Sequence, residues 1–105
     1  MLIIAGSNPV SDPQAAAQRG ASIYANHCVA CHGIRGDGQG IAADAMPDGA
    51  RVANLGELAA RKSVKTFAAN IRYGKNYMPA FGDQFTDQQI WDVAYYAYSF
   101  APGNQ

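Results

Sequence analysis

The residues able to do chemistry stand together at Cys28-Val29-Ala30-Cys31-His32, which holds both cysteines of the chain and sets a histidine directly after the second. Two thiols separated by two residues match the two vinyl groups of one porphyrin, to which they add as thioethers, and the next residue then falls beneath the iron. The stretch therefore reads as covalent attachment of one haem c through Cys28 and Cys31, with His32 as proximal iron ligand. Three other chemistries use the same residue types. A dithiol redox centre ordinarily follows a strand of a βαβ unit, and no strand pattern precedes Cys28. A zinc site would draw on Cys28, Cys31, His32 and His27, but the chain offers no second Cys-x-x-Cys and no His-x-x-x-His to complete a recognised spacing. A structural disulfide is the third.

The elements that must position this stretch are helical. Asp12-Pro13 supplies an N-cap and a proline at the first helical position, and a helix over about 13–26 places Ala16, Gly20, Ile23, Tyr24 and His27 on one face. Gly20, costly inside a helix, marks a close crossing by another helix. Residues 33–53 form a loop rich in glycine (Gly36, Gly38, Gly40, Gly49) with Pro47, long enough to wrap a cofactor edge. Gly36-Asp37-Gly38-Gln39-Gly40 resembles a phosphate-binding pattern, but no strand precedes it and no Lys-Ser/Thr follows, so a nucleotide site is set aside. Asn54 with Glu57 opens a short helix to about Ala60. Ser63 caps the next, where Val64, Phe67, Ala68 and Ile71 keep helical spacing up to Gly74. Residues 75–85 are irregular, and Pro79 presents Met78 from an extended segment. Thr86 with Gln89 makes a capping box, and Phe85 with Ile90 a hydrophobic staple, for a last helix to about Phe100, stopped by Pro102-Gly103. No segment alternates as a strand would, so the expected fold class is all-α.

At 105 residues the chain is expected to form one domain over 12–105 behind a flexible lead over 1–11. Leu, Ile, Val and Phe number only 19 of 105, yet the formal net charge is zero, so disorder is the weaker account. So few aliphatics suit a chain that completes its core with a large apolar cofactor. Eight basic and eight acidic residues argue against nucleic acid as a partner. Arg61, Lys62, Lys65, Arg72 and Lys75 cluster while Asp83, Asp87 and Asp92 follow, a pattern that serves a docking patch or an ordinary solvated surface equally well. No run reaches the ~18 apolar residues of a membrane helix. The segment 1–6 lacks the basic start and full apolar stretch of a signal peptide.

Taken together, Gly20-x-x-x-Tyr24, Cys28 to His32, Tyr77-Met78-Pro79-Ala80-Phe81 and Ile90-Trp91-Asp92-Val93-Ala94-Tyr95-Tyr96 make the chain resemble a bacterial class I cytochrome c over about 13–100. The resemblance implies the small all-α fold of that family, with the first and last helices crossing around one haem and setting Gly20 and Tyr24 against Val93 and Tyr96. It implies Met78 as distal iron ligand, with Met46, also followed by proline, as its rival. It implies a backbone carbonyl as acceptor for His32, from Pro47 or from Ala53. Relatives place a tryptophan near a haem propionate. The one tryptophan here, Trp91, is in the last helix, which leaves Arg51, Arg72 or Tyr73 for that role.

The function implied is single-electron transfer, by a free periplasmic carrier or the carrier domain of a larger redox enzyme, meeting redox partners through a transient interface and taking no small-molecule substrate. The resemblance also implies haem attachment outside the cytoplasm in bacteria. The chain is accordingly expected to be exported, its signal removed or its sequence part of a longer exported or anchored protein, with membrane association only through such a fused or missing segment. The alternatives are a catalytic or gas-sensing haem protein with a displaceable distal ligand, and a zinc or disulfide-stapled interaction module.

Overall fold

Helix formation starts where the local chemistry provides for it. In the computed structural model, which describes residues 8–47 and 51–102, Asp12 accepts from the amides of Gln14 and Ala15 at 3.1 and 3.2 Å, and Pro13 opens α1, Pro13–His27. Asn54 accepts from Glu57 N at 3.1 Å to start α3, Leu55–Arg61. Ser63 starts α4, Val64–Tyr73, and Thr86 starts α5, Asp87–Tyr98. The Thr86 box is reciprocal: Gln89 N donates to Thr86 Oγ1 at 3.1 Å and Thr86 N to Gln89 Oε1 at 2.9 Å. Each cap satisfies amides that the first helical turn leaves unpaired. Between α1 and the glycine loop stands a helix that sequence periodicity missed, α2, Val29–His32, and a single 3₁₀ turn, Ala43–Ala45, interrupts the loop. Among the described residues there are five α-helices and no strand, so the all-α expectation holds.

The core is the crossing of α1 over α5. A Cβ built on Gly20 would stand 2.1 Å from the Asp92 carbonyl oxygen and 2.8 Å from Val93 Cα, so only glycine allows the two backbones to approach this closely. Tyr24 lies against Tyr96 and Phe100 at ring-centroid distances of 5.1 and 5.5 Å. Ile90, Trp91, Val93 and Ala94 carry the buried face of α5. Phe67, Ala68 and Ile71 of α4 close the core from a second side, Phe67 meeting Tyr98 edge-on at 5.8 Å. Leu55 and Ala59 of α3 close it from a third.

Asp92, 3 % exposed, is a carboxylate inside this core. Arg19 approaches it with Nε and Nη2, both at 3.0 Å, and Gln88 Nε2 adds a third bond at 2.9 Å, so the buried oxygens are paired as burial requires. The ion pair raises the pKa of Arg19 above its ordinary value, chiefly through the Asp92 hydrogen bond.

One helix boundary differs from expectation. Helix α5 stops at Tyr98 rather than about Phe100. Ser99 N shares the carbonyls of Tyr95 and Tyr96, Ser99 Oγ bonds back to Tyr96 O, and Phe100 and Ala101 donate three residues back, tightening the end into a 3₁₀ turn. At the other end, Asn8 Nδ2 donates to Tyr95 Oη at 2.8 Å and Val10 packs on the core, so residues 8–10 run against α5. The rest of the expected lead, Gly49 of the loop and Gly103 of the helix stop lie outside the described residues.

Candidate haem-binding site

The glycine-rich loop exists to finish a helix too short to finish itself. Helix α2 has only four residues and no side-chain cap, yet each of its carbonyls is met by a downstream amide: Val29 O by Gly33, Ala30 O by Ala42, Cys31 O by Gly40 and His32 O by Gly38, at 2.7–2.9 Å. Leu55 N closes the loop on Gly36 O at 2.6 Å. From α1, the Tyr24 hydroxyl donates to Gly33 O at 2.6 Å, and burial raises the Tyr24 pKa so that the phenol stays a donor. Cys31 and His32 are thereby held on a short helix fixed from two sides, with Cys28 at its N-cap.

His32 Nδ1 lies 3.1 Å from Ala53 O. A carbonyl can only accept, so Nδ1 carries the proton and Nε2 is left as the donor of a lone pair. Burial lowers the His32 pKa, against the opposing pull of that carbonyl, and favours the neutral imidazole that binds metal. Of the two carbonyls expected for this role, the structure uses Ala53 and not Pro47.

The Met78 segment is shaped by backbone bonds. Lys75 N meets Met78 O at 3.2 Å and Met78 N meets Lys75 O at 2.9 Å, while Phe81 and Gly82 donate to the last carbonyls of α4, Ile71 O and Arg72 O. Gly74, at φ +77°, lets the chain fold back: a Cβ there would stand 2.8 Å from Met78 O.

Both segments open onto one cavity of about 740 Å³, within the size range of cofactor pockets. Cys28, Cys31, His32 and Met78 all line it, joined by the apolar Val52, Pro79 and Phe81 and by the cations Arg51 and Lys75. Met46 lines it too, but Met78 packs on the hydrophobic core and Met46 does not. Burial pushes the Cys28 thiol up to about 11. The two thiols are not joined to each other in this structure. Among the described residues, no three of His, Cys, Asp and Glu are gathered as a metal ion would need, which disfavours zinc. The donor set fits a covalently held haem: two free thiols, an imidazole of fixed tautomer and thioether sulfur, on a mainly apolar wall.

The expectations about propionate partners separate cleanly. Arg51 lines the cavity; Arg72 is instead paired with Asp87 of α5, and Tyr73 is exposed away from the cavity lining. Trp91 is buried in α5, its Nε1 without a hydrogen-bond partner among the described residues, and does not line the cavity. Lys75, which sequence reasoning did not single out for this site, does.

Residues 15–96 match the family described as Cytochrome C oxidase, cbb3-type, subunit III. The chain is 34% identical to Cytochrome c6 of Parathermosynechococcus lividus and to that of Synechococcus elongatus, in each case over 77 residues, 73% of this chain and 82% of the relative. It is 31% identical to Cytochrome c6 of Pyropia tenera over 80 residues, 76% of this chain and 87% of the relative. The chain belongs to the monohaem class I c-type cytochromes. Its fold is the small all-α fold of that class, its cofactor is one covalently bound haem c, and its function is haem-based electron transfer with redox partners. Among the described residues no helix is long and apolar enough to cross a membrane.

Proposed function

We propose that the haem is attached through Cys28 and Cys31 and that its iron is held by His32 and Met78. The observation carrying this reading is that His32, its Nδ1 committed to Ala53 O, shares one cavity with two free thiols and a thioether from a separate, backbone-braced segment. The bound haem supplies the one-electron iron couple. The chain's part would be to hold the iron through both His32 and Met78, so that no position is left for a substrate, and to keep the surroundings apolar. A methionine ligand also raises the reduction potential relative to more basic ligands. Arg51 and Lys75 supply positive charge at the cavity for the propionates.

Tyr77, 64 % exposed yet lining the cavity, supports a small transient interface at this edge. The matching family's description names an oxidase subunit and the relatives are named Cytochrome c6, so the same site serves a free carrier or the carrier subunit of a larger oxidoreductase. We place the chain outside the bacterial cytoplasm, where thioether attachment takes place.

Expression with a bacterial haem-attachment system followed by a denaturing gel stained for haem tests the first half of the proposal. The wild-type band stains and that of Cys28→Ser/Cys31→Ser does not. For the second half, Met78→Ala lowers the potential and lets the oxidised protein bind cyanide freely, whereas Met46→Ala does neither. The reverse pattern would move the ligand to Met46, and a wild-type protein that is already high-spin and cyanide-reactive would favour a catalytic or sensing haem.

A further inference from the structure

The Met78 segment has side-chain bracing that its backbone bonds do not explain. Phe81, three residues beyond Met78, stacks on Phe85 at a centroid distance of 5.3 Å and an interplanar angle of 20°. The amides of Gln84 and Phe85 both bond to Phe81 O, at 3.0 and 3.2 Å, so one turn presents both rings together. Against this pair stands the imidazole of His27, edge-on at 5.9 Å from Phe81 and 5.0 Å from Phe85. His27 is the last residue of α1 and immediately precedes Cys28. Both His27 and Phe81 line the cavity. The cluster thus joins the thiol-bearing side of the site to the methionine-bearing segment, across more than fifty residues of sequence.

We infer that His27 is a positioning residue: its ring, packed against Phe81 and Phe85, clamps the Met78 segment closed and sets how readily Met78 leaves the iron. This rests on Met78 being the distal ligand. The physical case is that a segment without regular secondary structure opens at low cost, and that a neutral thioether gives it little to hold on to. A tilted or edge-on ring pair adds attraction beyond its buried area. Removing the His27 ring deletes two of the three ring contacts and leaves the backbone bonds of the segment intact.

The test uses the oxidised haem-loaded protein. The rate of cyanide binding and the amide hydrogen exchange of Met78 are measured in wild type and in His27→Ala, His27→Phe, Arg19→Ala and Met78→Ala. His27→Ala is expected to bind cyanide and exchange the Met78 amide about two- to a hundredfold faster, the range one to two ring pairs supply. His27→Phe, which restores an aromatic edge, returns both rates to within about twofold of wild type. Arg19→Ala weakens the α1–α5 crossing at a pair that does not include this cluster and leaves the cyanide rate unchanged, which separates local opening from general loss of stability. Wild-type rates in His27→Ala, or equal acceleration in Arg19→Ala, overturn the clamp. If Met78→Ala fails to accelerate cyanide binding, the ligand assignment falls and the clamp falls with it.

Discussion

Tyr24 shows how one hydroxyl can hold a functional motif that its own helix does not contain. Its ring is core, 2 % exposed, but its Oη donates to the carbonyl of Gly33, the residue after His32. Tyr24→Phe keeps the ring and deletes only that bond. Because Gly36 N also reaches Gly33 O, at 3.1 Å, the oxygen is not orphaned, and the expected loss is about 1 kcal/mol rather than the ~3 kcal/mol of a stranded buried acceptor. Urea denaturation of the haem-loaded protein checks this, with a lower midpoint at unchanged slope; a loss near the upper figure would mean that Gly36 cannot hold the carbonyl alone. Ala53 makes the complementary point, since what it offers His32 is a backbone oxygen that no side-chain substitution removes.

The five helices differ in how far their neighbours determine them. The crossing of α1 and α5 is decided by contact: in Gly20→Ala the added Cβ would stand 2.1 Å from Asp92 O, a backbone atom that cannot rotate away. Alanine recovers about 1 kcal/mol of helix propensity, but overpacking of this kind costs about 1–3 kcal/mol or more. Spreading the helices also stretches the Arg19–Asp92 pair. A net loss of about 2 kcal/mol is expected, or roughly 10 °C in Tm for a domain of this size, and a Tm at or above wild type would show that the crossing relaxes without cost. The crossing itself was legible from a glycine inside a helical pattern, and the starts of α1, α3, α4 and α5 from Asp12, Asn54, Ser63 and Thr86, because capping is local chemistry. Helix α2 was not legible. It has no capping side chain, and its carbonyls are satisfied by Gly38, Gly40 and Ala42 of the following loop. The end of α5 was overextended because Ser99 tightens the last turn through bonds to Tyr95 and Tyr96 that periodicity does not register. His27 was legible as a helix-face residue and a conceivable zinc ligand, but its ring partners, Phe81 and Phe85, are distant in sequence and carry no signal that points back to it.

At the scale of the whole molecule, the haem site and the stability of the fold are one question. The chain has only 19 Leu, Ile, Val and Phe residues in 105, and its structure surrounds a cavity of about 740 Å³. The cavity brings apolar side chains from separate segments, Val52, Met78 and Phe81, to one surface, and burying such surface is the main favourable contribution to folding. Filled with water, it would leave Val52, Met78 and Phe81 against solvent and forgo that burial. On the proposed attachment through Cys28 and Cys31, the bound haem covers these side chains and stabilises the folded chain by binding it alone. The double variant Cys28→Ser/Cys31→Ser, produced without haem, is therefore expected to lose most of its helical circular dichroism, to melt without a cooperative transition and to be cleaved by protease under conditions that spare the haem-loaded protein. A haem-free chain with native helicity and a sharp melt would show instead that the α1–α5 crossing, with its Arg19–Asp92 pair, holds the fold on its own.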